Sequence, residues 1–382
     1  MKIVLVLALF IGLLCIAPSE YIFAGQPGSQ ADALSRDMIE RNLGFMDFSE
    51  LDDALAQAGV GGFSLGETVR RVISGEADIS PQGAFRLAVS MFFREISAFS
   101  GIMRNILVMA VLSAILKNLT DSFKTAEVGD LGFVVVFALM VVLIFQAFYI
   151  GVSAATSMIS SLTGIMTASI PVLIALMVFS GNVAAPFVIS PTLAFYAHIT
   201  ATVINYVITP LIIVGVVMTI VNCLSERDIL KNFAKLIMTT CAWGLGIIAF
   251  SFGLVLSLQK IASPIAAHLV GRTARTAVEA VPIVGGVISG AADMVAVWAQ
   301  AARSGVLVAL IIMVGIVCFA TVIKLVALVF IFKLTAALIA PICDKRLVEC
   351  INTVGSFTLL LLGGVATVVC MFMLMAIILL SF

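Results

Sequence analysis

The sequence predicts an all-α, polytopic integral membrane protein: a bundle of about seven to eight transmembrane helices behind a small N-terminal extracytoplasmic helical region. Three observations carry this. Hydrophobic residues make up 62% of the 382 and charged residues only 11%, against about 45–50% and about 25% in a soluble domain. Mean hydropathy is +1.23, more apolar surface than a soluble fold hides, so the fitting solvent is a bilayer. The apolar residues also fall in runs near the roughly 20 residues that a helix needs to cross.

The chain starts with Lys2, an apolar run from Ile3 to Ala17 and then "PSEYIFAG". A basic start, a short apolar core and a small residue at Ala24 make a secretory signal over 1–24. Cleavage after Ala24 is the first choice and after Ala17 the second; an uncleaved anchor is the alternative. Residues 25–83 are punctuated by "GQPGSQ", "AGVGG" and "GEADISPQG", with short helical patterns between them. Such a segment is small for a core of its own and is expected to pack on the membrane part or a partner. From Ala84 to Ser100, Phe85, Val89, Phe92, Phe93 and Ile96 share one face, and Arg86, Ser90, Arg94 and Ser97 the other. This predicts an amphipathic helix in the interface plane, closing an extracytoplasmic and interfacial region over 25–100.

The bundle, 101–382, is expected to cross at 102–119, 131–151, 160–180, 186–204, 205–223, 236–257, 306–325 and 355–380. The uncharged run from Ala184 to Cys223 is too long for one span, and Asn205, Tyr206 and Pro210 mark a turn or kink. The excess of Lys and Arg in "SERDILKNFAKL" and "KLTAALIAPICDKRLVE" places 224–235 and 333–350 in the cytoplasm. Residue 100, the uncharged connection 152–159 and the C-terminus then fall outside. In 153–168, Ser153, Ser157 and Ser161 recur every fourth position, as do Ser160, Gly164 and Ala168. Small stripes let helix backbones approach closely. The expectation is packing within the bundle around Ser157 and Gly164; lining a polar pathway is the sharper reading.

One stretch, 262–303, resists this scheme. Ser263-Pro264 reads as a helix start, with the helix ending near Ala280 because Pro282 follows. His268, Arg272, Arg275 and Glu279 share one face, and Arg275 and Glu279 can pair at i,i+4. Then comes Ile283 to Ala302, with Asp293 as its one charge, a hinge of Pro282 and Gly285, and a small-xxx-small pair in Gly286 and Gly290. A full crossing here would put 333–350 outside, against the charge asymmetry, so a re-entrant or buried hairpin is expected. The bland reading is a solvated interfacial face; the functional one is a pathway lining or partner contact through His268, Arg272, Arg275, Glu279 and Asp293. The two part under substitution. If headgroup attraction is the whole role, Arg272→Lys with Arg275→Lys is nearly silent. If the guanidinium forks hold a carboxylate or phosphate, the double variant accumulates normally but loses function.

No catalytic pattern is present: no H-E-x-x-H, no G-x-x-x-x-G-K-[ST], no G-x-S-x-G. Two histidines, His198 and His268, exclude a multi-histidine metal site. His198, in an apolar run, reads as a hydrogen-bonded packing residue. The seven cysteines form no C-x-x-C pair and read as buried thiols. No catalytic residue, cofactor or metal is expected. No long basic patch exists, so no nucleic-acid partner is expected.

The order of features resembles the stage III sporulation protein AE family. The residues that carry this are "PVLIALMVFSGNVAAPFVISP" (171–191), "INYVITPLIIVGVVMTIVN" (204–222) and, most specifically, "GRTARTAVEAVPIVGGVISGAADMV" (271–295). In the last, Arg272, Thr273, Ala274, Pro282, Gly285 and Asp293 match the family's pattern. The resemblance implies a subunit of the transenvelope apparatus between mother cell and forespore, seated in the mother-cell-derived outer forespore membrane and sustaining late forespore gene expression. It implies co-encoded partners, including a cytoplasmic ATPase and ring-forming intermembrane proteins, besides membrane lipid; self-association into a homo-oligomer is compatible with it. The competing readings are a stand-alone secondary transporter, which should show paired broken helices in repeats, and an intramembrane enzyme.

Overall fold

The computed structural model describes residues 81–122, 126–179, 195–224, 229–279, 314–315, 318–343 and 345–381. The expected signal segment, residues 25–80, and Pro282, Gly285, Gly286, Gly290 and Asp293 lie outside them. The described residues are helical, with no strand among them. Among the described residues, six helices are long and apolar enough to cross a membrane: α1 (Pro81–Ser122), α2 (Ala126–Phe179), α3 (Phe195–Leu224), α4 (Lys231–Glu279), α5 (Cys318–Ile339) and α6 (Lys345–Ser381).

Several breaks in the sequence reading are not breaks in the backbone. The interfacial helix 84–100 and the first span are one helix, α1. Its Phe92 meets Phe330 of α5 edge to face, with ring centroids 6.0 Å apart. The expected connection 152–159 is absent, and α2 runs through it unbroken. The stretch is uncharged and rich in Ser and Thr, which reads as a loop by composition. Within it Thr156 Oγ1 instead bonds back along the helix, to the Val152 carbonyl at 3.0 Å, and just beyond it Thr163 Oγ1 does the same to that of Ile159 at 2.8 Å. Its apolar positions, Val152, Ala155, Met158 and Ile159, are buried. At 54 residues, α2 is about 80 Å long, so it projects well past a bilayer core.

The expected turn at Asn205 is a π-helical stretch, Ile204–Ile208, inside α3. Pro210 has no N–H to give the preceding turn, which would break an ordinary helix there. The widened turn absorbs the defect: both the N–H and the Oγ1 of Thr209 bond the Ile204 carbonyl, the hydroxyl at 2.9 Å. The chain bulges without reversing. Likewise Ser263-Pro264 starts no helix. It lies within α4, which ends at Glu279, close to the expected end. The fifth span, expected at 306–325, is described over Cys318–Ile339. Most of "KLTAALIAPICDKRLVE" is therefore helix rather than loop. Lys333 Nζ donates to the Asn352 carbonyl (2.9 Å), Asn352 Oδ1 (2.6 Å) and Ser356 Oγ (2.8 Å). All three ammonium hydrogens are satisfied inside the α5–α6 hairpin, so the charge needs no loop.

The two last helices form the centre. In α5 and α6, 61% of the spanning window is buried, against 17% in α4. Gly151 of α2 sits where an added Cβ would stand 2.7 Å from Leu328 and 3.5 Å from Leu325 of α5, so these helices touch backbone to side chain. Helix α1 packs along α2, α3 along α4, and α6 against α2, α3 and α4. At one end Cys343 Sγ approaches the Ala110 carbonyl at 3.3 Å, and Lys231 reaches Glu349 at 2.8 Å. The α3–α4 and α5–α6 turns thus lie at the same end, as the shared excess of Lys and Arg requires. Toward the other end Tyr196 of α3 stacks on Phe252 of α4, centroids 5.7 Å apart, and its hydroxyl bonds that of Ser251.

Candidate functional site: a polar face on α2 and α3

Along α2, Gln146, Tyr149, Ser153, Ser157, Ser160, Gly164 and Thr167 are all exposed. Their spacings of 3 and 4 residues put them on one helix face. The opposite face, including Phe148, Ala155, Leu162 and Ile165, is buried against the bundle. Beside this stripe α3 exposes His198, Thr202 and Tyr206, the last 77% exposed. Asn205 links the two helices: its Nδ2 lies 3.4 Å from Ser160 Oγ. Its Oδ1 is buried and has no hydrogen-bond partner among the described residues. An orphaned buried acceptor costs about 1–3 kcal/mol.

The geometry has a local cause. Because α2 is unbroken through 152–159, polar residues that would have been divided between two spans and a loop line up continuously. The π stretch contributes too, since a residue added to one turn rotates the remainder of the helix by about 100°. Here Asn205 comes against α2 while Thr209 is buried. The chemistry of the face is that of hydroxyl, amide and imidazole donors and acceptors. Among the described residues, no group of three His, Cys, Asp or Glu could hold a metal.

Ser157 and Gly164, expected to pack within the bundle, are exposed among the described residues. A Cβ on Gly164 would meet no atom within 4 Å. His198, expected to be a packing residue, is exposed on the same side as Thr202 and Tyr206. His268, Arg272, Arg275 and Glu279 belong to the last turns of α4, where their spacing keeps them on one face; their side chains, and Asp293, lie outside the described residues. The sequence reading missed Gln146 and Tyr149, which a helical period carried through 131–170 would have found. It also missed Lys324 and Lys333, taken for the edge of a span and for a loop; both lie within α5.

No solved structure matches the chain. Stage III sporulation protein AE of Bacillus subtilis (strain 168) is 24% identical over 304 residues, covering 79% of this chain and 76% of that protein. The family described as stage III sporulation protein AE matches residues 63–382, which take in all six described helices and the polar face. The chain belongs to the stage III sporulation protein AE family.

Proposed function

We propose that the protein is a channel or export-platform subunit of the sporulation apparatus between mother cell and forespore, held in the outer forespore membrane and needed for late forespore gene expression. The observation that supports it most is the polar face of α2 and α3. A row of hydroxyl, amide and imidazole groups turned toward hydrocarbon is costly. Within membranes such groups face a bundle interior, a neighbouring helix or a watery cavity. A subunit of an assembly can present them to a neighbour or a polar path, and among the described residues nothing covers them. A cytoplasmic ATPase and ring-forming intermembrane proteins are the partners this reading takes, with further copies of the chain as a third kind of neighbour. Arg272 and Arg275 are further contacts under the same reading.

Cysteine substitutions at Ser153, Ser157 and Ser160, on a cysteine-free background, test it in sporulating cells. A membrane-impermeant charged maleimide should label them if the face borders a polar path. A neighbouring subunit should instead yield site-specific cross-links from the same positions. Neither label nor cross-link, combined with quenching of probes there by a lipid-borne nitroxide, would mean that the face meets lipid and the proposal fails.

A further inference from the structure

Where the end of α3 meets the start of α6, the bundle brings together two cysteines that are far apart in sequence. Cys223 lies in the last turn of α3 and Cys350 in the second turn of α6. Both are free, and the Cys350 thiol is hydrogen-bonded to that of Cys223. Cys223 Sγ also lies 3.5 Å from the Arg346 carbonyl, one turn before Cys350 on α6. Packing along the two helices fixes this register. Two turns further into the bundle, a Cβ on Gly215 of α3 would stand 2.5 Å from the Phe357 ring of α6. Helical spacing puts Cys223 on the Gly215 face of α3 and Cys350 on the Phe357 face of α6, so the cysteines extend that contact to the helix ends. Cys223, Cys350, Lys231, Arg346 and Glu349 line a cavity of about 60 Å³, whose charged groups mark the watery end of the bundle. Cys223 is half-buried, while Cys350 is only 2% exposed. Cys343 at the same end is turned to the Ala110 carbonyl of α1, 3.3 Å away. Two sulfurs are too few for a structural zinc site, and among the described residues no group of three His, Cys, Asp or Glu could hold a metal.

We propose that Cys223 and Cys350 form a reversible disulfide that locks the end of α3 to the start of α6, with a small-molecule disulfide as the oxidant. The difference in exposure sets the order of events. Cys223 loses its proton and, as the thiolate, attacks one sulfur of the small disulfide, and one small thiolate leaves. Cys350, too buried to meet the oxidant itself, then loses its proton and attacks Cys223 Sγ. The bond from Cys223 to the second small thiolate breaks as the protein S–S bond forms. The protons given up by the two cysteines end on the two small thiols released. The protein is oxidised by two electrons and the small disulfide is reduced by two. Excess small thiol runs the exchange backward. A bridge between segments so distant in sequence constrains the unfolded chain strongly. It also fixes the corner that carries the Lys231–Glu349 pair, so the thiol–disulfide balance outside is coupled to the packing of α3 on α6.

The test uses the full-length protein, purified in an uncharged detergent with a reductant that is then removed. It is treated with oxidised glutathione, unfolded, alkylated with N-ethylmaleimide in mild acid and digested for mass spectrometry. A peptide pair joined through Cys223 and Cys350 should appear, with both residues lost together from the alkylated pool. Dithiothreitol should return both to it. Cys241 and Cys318, buried in the bundle, should be alkylated throughout. In Cys350→Ser, Cys223 should instead carry glutathione. In Cys223→Ser, Cys350 should stay alkylated, because it is buried and has lost its partner. Should a serine variant fail to fold, the linked peptide in the unaltered chain decides alone. Both cysteines still alkylated after treatment, Cys223 carrying glutathione while Cys350 stays alkylated in the unaltered chain, or either one bridged to Cys343, overturns the pair. Oxidation should also raise the thermal midpoint of the unaltered chain, and a bridged protein with an unchanged midpoint overturns the lock.

Discussion

Gly215→Val is expected to remove most of the folded protein from the membrane. Gly215 is buried on α3, and a Cβ built there would stand 2.5 Å from both Cε1 and Cζ of Phe357 on α6 and 3.1 Å from Ile237 Cγ2 on α4. Three helices meet at this one position. Real side chains do not tolerate 2.5 Å, so something must move. The Phe357 ring is fully buried, with Val354 and Leu361 of its own helix buried above and below it, so it has little space to retreat into. Overpacking a close-packed site costs about 1–3 kcal/mol, and valine's two γ-carbons make a rigid wedge. Against a total stability of about 5–15 kcal/mol, that is enough to divert newly made chains to proteolysis. Gly246→Val is the control. It lies on the same bundle in α4, is exposed, and has nothing within 4 Å of its Cβ position, so abundance should be normal. Phe357→Leu should relieve part of the Gly215→Ala defect, making the double variant less harmful than the sum of the singles. Membrane abundance by immunoblot and the thermal midpoint in detergent measure both. Equal abundance of the Gly215 and Gly246 variants would mean that α3, α4 and α6 do not meet as described.

The class of the fold was plain from composition because burial in lipid demands apolar helices whatever their arrangement. The breaks between the spans were not. Loops were placed where polar residues interrupt apolar runs, and that rule fails when the polar residues are Ser and Thr. Thr156 returns its hydrogen to the carbonyl of Val152, as Thr163 and Thr167 just beyond do to those of Ile159 and Thr163, so hydroxyls here do not interrupt the helix. Pro210 misled in the opposite sense. It marks a real defect, but a π stretch takes it up locally, which residue type alone does not reveal. The candidate site suffered from the same error. Ser157, Ser160 and Gly164 were visible as a periodic small stripe, yet the supposed loop cut them off from Gln146 and Tyr149. Which way the stripe faces was never legible, because that depends on which side of α2 meets α5 and α6. Gly151 against Leu325 and Leu328 decides it, and those residues are far apart along the chain.

Ser157→Leu combined with Gly164→Leu is expected to leave membrane abundance unchanged and to abolish late forespore gene expression. Both positions are exposed, and Gly164 has open space around it, so two leucines meet no obstacle among the described residues. Leucine at the centre of a spanning helix favours insertion by about 0.3–0.6 kcal/mol, so the variant should enter the membrane at least as well as the parent. The harm arises only if another helix or a polar path must lie against this face. Small residues let a neighbouring backbone approach closely, and an isobutyl group at two levels of the helix holds it off. Three readings therefore give three outcomes. If the stripe packs inside the bundle, abundance falls. If it faces lipid, abundance and reporter activity both stay normal. If it is the assembly or pathway face, abundance stays and reporter activity goes. Gly246→Leu, on the outer side of α4, should be silent in both measurements, because it adds the same side chain to a face with no polar row. The decisive measurement is membrane abundance and a forespore reporter in the same sporulating cells. Normal reporter activity in the double variant would remove the polar face from the mechanism and leave it facing hydrocarbon.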